Sequence, residues 1–457
     1  MKLIRFVGKD LRGYLDVNVN FRESVTFLIG INGSGKTTVL RLISALLTPS
    51  YKDLLSIDFS TISLECEYKN DLGSIQISCK KEADRIYLTF VDKHGKESVG
   101  KVSLLREFLK REYDEQERFS RFSEIFNELE VVKKIQEVKE PLFLGLNRRV
   151  GARNLGLARF ERERFWSQKV GMRPEMDKDS VEEALSDIQG LVFEKIREIA
   201  KSQGFFSNEF QKALLKGSFE FNHNTENFRN NYNEELSKLP EKKRILADMV
   251  SNLELTDLSK ELSTLFDEIE RVLKLLVEFS SKKREREESQ KHINAVVEWL
   301  LNSSQLTRIN TIISQYKDYV EKIRKLRSPI NRFSESLNSF FKESGKEVFV
   351  DGRGELKIKV SRGSKPYVNT IFDLSSGEKQ LVIMFAYLVF YKKYNKAPVV
   401  IIDEPELSLH ISWQEIFVDA LLCASPETQF IMATHAPAIL ATPERRGWCE
   451  DLSPMLC

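Results

Sequence analysis

The chain has 457 residues, with 70 lysines and arginines against 68 aspartates and glutamates, which gives a net charge of +2. This length exceeds what one hydrophobic core usually holds and indicates two or three modules. The nearly neutral charge excludes a general attraction to nucleic acid or to an anionic membrane, so any such binding needs a local patch. The five cysteines form no C-x-x-C pair, a pattern typical of a reduced, cytoplasmic protein.

The hydropathy pattern predicts no contact with a membrane. The N-terminus, MKLIRFVGKD, meets charged residues too early for a secretory signal. The longest apolar run, Leu381 to Tyr391, has eleven residues and is too short to cross a bilayer. We therefore expect a soluble, cytoplasmic protein.

Residues 1–100 form the first predicted domain and are rich in short β-branched and aromatic runs separated by polar breaks, which predicts strands. The predicted strands are Leu3–Val7, Leu15–Phe21, Val25–Ile29, Thr61–Tyr68, Ser74–Cys79 and Arg85–Val91. A helix is predicted from Lys36 to about Leu47. The last three strands predict a meander.

The segment VTFLIGINGSGKTTVL joins a predicted strand to a predicted helix through a glycine-rich loop. Gly30, Gly35, Lys36 and Thr37 have the G-x-x-x-x-G-K-[ST] spacing of a phosphate-binding loop. In such a loop, backbone N–H groups and the helix N-terminus bind phosphate oxygens, the lysine contacts the terminal phosphates, and the threonine hydroxyl binds Mg²⁺. The predicted ATP ligands here are Asn32, Gly33, Ser34, Gly35, Lys36, Thr37 and Thr38.

The second predicted domain, residues 101–240, is a helical or lid-like insertion. Its composition is charged with apolar positions at helical spacing, interrupted by the apolar segment Pro141 to Val150, which predicts one strand. A loose loop is predicted around residues 218–230, where asparagines are frequent.

Residues 241–330 form the third predicted domain, a helical arm. Apolar residues repeat every three or four positions from Leu262 to Leu276 and from Leu306 to Ile323, and Pro329 is expected to stop the second pattern. Two interpretations fit: a short coiled-coil arm of two antiparallel helices, or a helical subdomain packed on the rest of the chain. The mixed-sign charged run between the two patterns is typical of a solvated face.

The fourth predicted domain, residues 331–457, contains a predicted hairpin from Glu347 to Val360 and then two buried strands that end in polar residues. The segment APVVIIDE is apolar on both faces, as in a parallel sheet, and ends on Asp403 and Glu404. Asp403 is predicted to hold Mg²⁺ together with Thr37, and Glu404 to orient the water that attacks the terminal phosphate. The second strand, FIMATH, ends on His435, which could hydrogen-bond the leaving phosphate.

A second glycine- and serine-containing helix start, DLSSGEKQ, precedes the apolar run from Leu381. Ser375, Ser376 and Gly377 there are predicted to form another anion site through hydroxyl and N–H groups. Taken alone, this segment is equally a well-capped helix.

The four segments GINGSGKT, LSSGEKQ, VVIIDEPELSLH and ATHAP, in this order, resemble the ATPase head of the ABC superfamily, in the branch that includes SMC, Rad50, RecF and OLD proteins. The resemblance implies an α/β fold in which an ABC-type head, a mixed sheet with a phosphate-loop core, is split by a helical, partly coiled-coil insertion. It implies that Ser375 and Gly377 of one subunit act on the nucleotide held by Lys36 of another, so that the heads form at least a dimer.

The resemblance also implies individual roles. Glu404 resembles the catalytic glutamate and His435 the switch histidine, while Arg12 resembles an early arginine that contacts nucleotide. The segment ELSLH resembles the D-loop, with His410 where many relatives have aspartate. No convincing Q-loop is present, and Gln76 is a weak candidate for it.

The overall pattern is similar to the ATPase subunits of two bacterial anti-phage systems, PARIS (the AriA family) and, as a near alternative, Septu (the PtuA family). The similarity rests on the short N-terminal strands, the predicted strand that ends on Arg148 and Arg149, the helical insert of middle length and the segment DEPELSLH. This implies a homo-oligomeric ATPase that controls a separate nuclease effector, of Toprim type for PARIS or HNH type for Septu, with a phage protein as trigger. Only 22 residues follow His435, too few for a Toprim domain, so we expect no nuclease domain in this chain.

A DNA repair or recombination ATPase of the RecF or Rad50 kind is the alternative function. It predicts a DNA-binding surface, and an arginine cluster offers one. The cluster comprises Arg148, Arg149, Arg153, Arg159, Arg162 and Arg164. Because the last three alternate with glutamates, a solvated helix face explains them equally well. A transporter ATPase is disfavoured by the large helical insertion.

Overall fold

The computed structural model describes residues 1–68, 73–82, 85–103, 126–138, 141–144, 180–219, 232–253, 255–281, 286–361, 366–390, 399–407 and 409–453. The arginine cluster predicted as a DNA-binding surface lies outside these residues, and so does most of the predicted loop at 218–230. The chain divides into two compact units, residues 1–196 with 329–457, and residues 197–328. The predicted domain boundaries at 100, 240 and 330 remain sequence-based predictions.

A parallel sheet forms the centre of the first unit. Its strand order is β14-β3-β13-β12-β8, and every neighbouring pair is parallel. The strands are β3 (Val25–Ile29), β8 (Leu142–Leu144), β12 (Val399–Asp403), β13 (Gln429–Ala433) and β14 (Cys449–Asp451). The carboxyl ends of β3, β12 and β13 therefore meet at one edge, which is where ligands bind in such sheets.

An antiparallel sheet contains the predicted meander and forms a second layer. Its order is β2-β1-β4-β5-β6-β7. The strands are β1 (Lys2–Leu11), β2 (Leu15–Asn20), β4 (Thr61–Tyr68), β5 (Gly73–Glu82), β6 (Arg85–Val91) and β7 (Glu97–Ser103). Gln429 of β13 connects the two sheets through its buried side-chain amide. Its Oε1 accepts from the Leu3 N–H at 2.7 Å, and its Nε2 donates to the Leu3 carbonyl at 2.8 Å.

Both faces of the parallel sheet are covered, which explains its continuous apolar strands. On one face, α1 (Lys36–Leu47) and the antiparallel sheet share a core with Leu28, Ile401 and Ile431. On the other face, Phe27, Ile402 and Met432 pack in a core with helices on that side. These helices are α4 (Ser180–Phe219), α7 (Arg286–Phe341), α8 (Ser376–Phe390) and α9 (Ile411–Ala424). Only the part of α4 up to residue 196 and the part of α7 from residue 329 belong to the first unit. Short helices are α2 (Tyr51–Ser56), α3 (Glu130–Gln136) and α10 (Pro443–Arg446).

A three-stranded antiparallel sheet, in the order β11-β10-β9, leads into the DLSSGEKQ segment. Its strands are β9 (Lys346–Val350), β10 (Leu356–Val360) and β11 (Tyr367–Thr370). The β9–β10 hairpin is confirmed as predicted, with Asp351 N–H donating to the Glu355 carbonyl across the turn at 2.9 Å.

The second unit is helical and has its own core. Apolar residues of α5 (Tyr232–Asn252), α6 (Ser259–Ser281) and α7 pack together, among them Leu246, Leu273 and Trp299. The predicted stop at Pro329 is wrong, because α7 continues through this proline to Phe341. Proline removes one helical hydrogen bond, but Phe333, Leu337 and Phe340 beyond it are fully buried in the first unit and hold the helix.

The predicted fold class is confirmed: an α/β head of parallel and antiparallel sheets is divided by a long helical insertion. Among the described residues, no helix has the length and apolar character needed to cross a membrane.

Candidate functional site

The glycine-rich loop lies between the carboxyl end of β3 and the start of α1, as the sequence predicts. Gly30 has φ 144° and Gly35 has φ 90°, values at which side chains are strained. A Cβ on Gly35 would also lie 2.6 Å from a Leu15 methyl carbon, and one on Gly30 would lie 2.6 Å from Ser34 Oγ. Only glycine therefore allows this close turn of the backbone.

Lys36 begins α1 and turns its side chain back over the loop. Its Nζ donates to the carbonyls of Gly30 at 2.8 Å and Ile31 at 3.1 Å, and the residue is only 5% exposed. Ser34 is also buried, and its hydroxyl has no hydrogen-bond partner within the described part of the chain. A buried cation resting on carbonyls beside an unused hydroxyl fits a cradle for phosphate.

Thr37 and Asp403 meet although 366 positions separate them in the sequence. The Thr37 hydroxyl donates to Asp403 Oδ1 at 3.2 Å. Burial raises the pKa of Asp403, the hydrogen bond from Thr37 opposes this, and the charges of Glu404 and Glu406 add to the increase. A hydroxyl next to a desolvated carboxylate is the oxygen donor set that Mg²⁺ prefers, so these residues fit the ion predicted here. Within the described residues, no group of three histidines, cysteines or acids forms a separate metal site.

Glu404 follows Asp403 and has φ 48°, a conformation that is rare for residues other than glycine. Its N–H donates to the Ala433 carbonyl at 2.9 Å, which fixes the bend. His435 Nε2 lies 3.4 Å from Glu404 Oε1, and both side chains are partly exposed. The bend thus directs the carboxylate toward the histidine at the shared edge of the sheet, instead of continuing strand β12.

Glu406 is a functional candidate that the sequence analysis placed in the D-loop-like segment without giving it an individual role. Its carboxylate accepts from the Thr434 hydroxyl at 2.8 Å and from the His435 N–H at 2.9 Å. It therefore joins the segment after β12 to the segment after β13 and orients His435. Its signals in the sequence were the acid-rich run DEPE and its position at the start of ELSLH.

The DLSSGEKQ segment forms a capped helix start. Ser375 donates its N–H and its hydroxyl to Glu378 Oε2, at 2.8 and 2.9 Å. Lys346 Nζ lies 2.9 Å from each oxygen of Glu378, which is almost fully buried. Burial raises the pKa of Glu378, but the bonds from Lys346 and Ser375 outweigh it, so the net pKa is lowered. Ser376 and Gly377 occupy the first turn of α8.

Two further predicted residues lie near these elements. Arg12 is exposed in the β1–β2 turn with φ 54°, and Tyr14 in the same turn directs its hydroxyl at the Gly33 carbonyl, 3.5 Å away. This turn therefore borders the glycine-rich loop. His410 is the N-cap of α9, where its Nδ1 lies 2.9 Å from Ser412 Oγ. The histidine thus fills a capping position for which aspartate is also well suited.

Gln76, the weak Q-loop candidate, points away from the buried side of β5. Its amide donates to Ser63 Oγ at 2.9 Å on the outer face of the antiparallel sheet. The structure brings together Lys36, Thr37, Asp403, Glu404 and His435 but does not add Gln76 to them.

Known proteins similar to this chain include one curated relative. The probable ATPase of retron Vc95, from Vibrio cholerae serotype O1 biovar El Tor, is 35% identical over 82 residues. The alignment covers 16% of this chain and 16% of that protein, so this chain spans less than a fifth of the relative's length.

Solved structures of low similarity include two SMC heads. The Smc head domain with an extended coiled coil bound to the C-terminal domain of ScpA, from Pyrococcus furiosus, is 15% identical, with 96% of this chain and 91% of that chain covered and a TM-score of 0.37. The SMC head domain from Thermotoga maritima is 11% identical, with 96% and 92% covered and a TM-score of 0.35. These scores are too low to transfer any property to this chain.

A family match covers almost the whole chain. Residues 1–440 match the family described as AAA ATPase domain (AAA_15). The matched region includes the glycine-rich loop, the two buried strands with their polar ends, and the helical insertion between them. The chain therefore belongs to the AAA ATPase domain family.

Proposed function

We propose that this chain is the ATP-binding and ATP-hydrolysing subunit of a bacterial anti-phage defence complex, which assembles through ATP and controls a separate nuclease effector. The gathering of Thr37, Asp403, Glu404 and His435 around the Lys36 loop supports the hydrolytic part. The resemblance to PARIS and Septu ATPase subunits supports the defence part, with a Toprim-type or HNH effector and a phage protein as trigger. The match to a retron's probable ATPase is compatible with the ATPase assignment.

In this proposal each residue has one task. Bound ATP and Mg²⁺ supply the reactive phosphoanhydride and its charge neutralisation. Lys36, which rests on the Gly30 and Ile31 carbonyls, would neutralise phosphate charge, and Thr37 and Asp403 would hold the cation. Glu404 orients a water and accepts its proton. His435, whose backbone N–H is bonded to Glu406, donates a hydrogen bond to the leaving phosphate at the same edge of the sheet.

The second helix start supports the proposed assembly through ATP. Ser375 completes its own hydrogen bonds with Glu378 at the start of α8. We infer that this surface, with Ser376 and Gly377, covers the nucleotide held by a second copy. One nucleotide then joins two chains, which makes subunit contact depend on ATP.

Mixing two inactive variants tests this arrangement. A Lys36→Ala chain lacks a working loop, and a Ser375→Arg chain lacks a working helix start. If the site forms between subunits, the mixture restores ATPase activity, because one pairing brings an intact loop to an intact helix start. A site formed within one chain predicts no recovery, since every chain in the mixture is then defective.

The neighbouring reading frame and the response to DNA separate the defence proposal from the repair alternative. An adjacent Toprim or HNH protein that co-purifies with this chain supports the proposal. ATPase activity stimulated by DNA, with binding that weakens steeply as salt increases, supports a RecF- or Rad50-like function instead.

A further inference from the structure

The segment after the last helix forms part of the glycine-rich loop's surroundings. Strand β14 lies parallel beside β3, with Asp451 opposite Ile29. Phe27 N–H donates to the Trp448 carbonyl, and Leu452 N–H donates to the Ile29 carbonyl, both at 2.9 Å. These two bonds fix the segment along the whole strand that leads into the loop.

The chain turns immediately beside the first glycine of the loop. Asp451 Oδ1 accepts from the Ser453 N–H at 2.8 Å, which closes a tight turn. The Ser453 nitrogen lies 3.3 Å from where a Cβ on Gly30 would be. Gly30 is also the residue whose carbonyl accepts from Lys36 at 2.8 Å. The turn that carries the Asp451 carboxylate is thereby held beside Gly30.

The charge of Asp451 acts on the same lysine that is predicted to bind phosphate. Hydrogen bonds from Ser453 lower the pKa of Asp451, and the positive charge of Lys36 lowers it further. The carboxylate is therefore ionised at neutral pH.

We propose that Asp451 is a positioning residue of the loop, whose carboxylate competes with nucleotide phosphate for the charge of Lys36 and so weakens nucleotide binding. The inference rests on the proposed nucleotide site. Triphosphate entering the loop meets a fixed negative charge near its cationic partner, and this repulsion increases with the charge of the ligand. Because Asp451 is exposed, solvent and salt screen the effect to a few-fold change in affinity.

The test compares Asp451→Asn with Glu450→Gln in the full chain. Asparagine keeps an oxygen that can accept from Ser453, and glutamine removes the same charge from the adjacent residue, whose side chain points to the other face of the strand. Calorimetry measures the Kd of the β,γ-imido analogue of ATP and of ADP, with Mg²⁺, at about 20 and about 300 mM salt. We expect Asp451→Asn to bind the ATP analogue about three-fold more tightly at low salt, with a smaller gain for ADP and for high salt.

The inference is overturned if both variants change affinity equally, or if Asp451→Asn weakens binding independently of salt, which indicates a purely structural turn. Unchanged affinity in Asp451→Asn overturns it as well, while leaving the proposed function intact. If the unaltered chain binds neither nucleotide, the proposed function fails and this inference fails with it.

Discussion

The two glycine- and serine-containing helix starts of the head use their polar groups in opposite ways. At the start of α1, Lys36 rests on two loop carbonyls and the Ser34 hydroxyl is buried without a partner. At the start of α8, the Ser375 N–H and hydroxyl both end on Glu378, and Lys346 balances that carboxylate. The first site has unused capacity for an anion, whereas at the second the Ser375 N–H and hydroxyl are already bonded within the chain.

This difference predicts which of the two helix starts contacts nucleotide first. A loop with a buried cation and an unpartnered hydroxyl gains hydrogen bonds when phosphate enters, so we expect it to bind nucleotide without help from a second chain. The second helix start gains less, because the Ser375 N–H and hydroxyl are already bonded to Glu378. We therefore expect it to act as a rigid surface that contacts nucleotide only after the loop has bound it.

The largest effect is expected at Glu404, because the proposed function assigns the activation of the attacking water to its carboxylate. Glu404→Gln should lower ATP turnover by about a thousand-fold while nucleotide affinity stays within a few-fold. Initial-rate phosphate release and calorimetry measure the two quantities separately. The exposed Glu427→Gln is the control. Wild-type turnover in Glu404→Gln would remove this residue from the proposed mechanism.

Lys36→Ala should lower ATP affinity by about a hundred-fold, because a charge-assisted contact to phosphate is lost. Calorimetry with the β,γ-imido analogue of ATP measures it. Arg41→Ala removes a cation from the same helix, where it forms an exposed pair with Asp53, and should leave the affinity nearly unchanged. Equal losses in both variants would show that helix charge in general, and not Lys36, holds the nucleotide.

Glu378→Gln tests the second helix start, where the polar groups are bonded within the chain. The substitution should lower the free energy of unfolding by about 2 kcal/mol at pH 7, because Lys346 loses its buried counter-charge. The folded state lowers the pKa of Glu378, so this stabilisation is present above the ordinary pKa of an unfolded glutamate and is lost as pH falls through the lower folded value. The gap between wild type and variant should thus narrow in acid.

Urea unfolding at pH 7 and at acid pH measures this gap. Glu355→Gln, which loses a more exposed pair with Lys357, is the control and should change stability little. A gap that stays constant with pH would show that Glu378 acts through packing instead of charge.

Much of the fold was predictable because its signals are local. The glycine-rich loop, the strand ending in Asp403 and Glu404, and the β9–β10 hairpin each follow from spacing and side-chain type within a few residues. The predicted strands that precede the loop are confirmed, with ends shifted by a few residues.

The remaining features depend on partners far away in the sequence. The helix passes Pro329 because aromatic residues beyond it are buried in the head, which outweighs one lost hydrogen bond. Glu406 has its role only because β13 brings Thr434 and His435 beside it. The pairing of β14 with β3 likewise has no local signature, so the surroundings of Gly30 emerge only from the folded chain.

The smallest expected effect is the change in the free energy of unfolding that the buried Asp403 carboxylate causes. Burial raises the pKa of Asp403, so its ionised form destabilises the chain without ligand. Asp403→Asn should then raise the free energy of unfolding by about 1 kcal/mol at pH 7, as is common where a site sacrifices stability for function. Because the folded pKa is raised, wild type gains stability as pH falls through it, and the variant does not.

Thermal unfolding with and without ATP and Mg²⁺ checks this prediction, with the exposed Asp58→Asn as the control. Nucleotide and Mg²⁺ should stabilise wild type more than Asp403→Asn, because only wild type keeps the carboxylate for the cation. The order of stability should therefore reverse on adding ligand. If Asp403→Asn is less stable even without ligand, the hydrogen bond from Thr37 outweighs the cost of burying the Asp403 carboxylate. Asp403 would then be stabilised by its contacts within the chain, as Ser375 is at the start of α8.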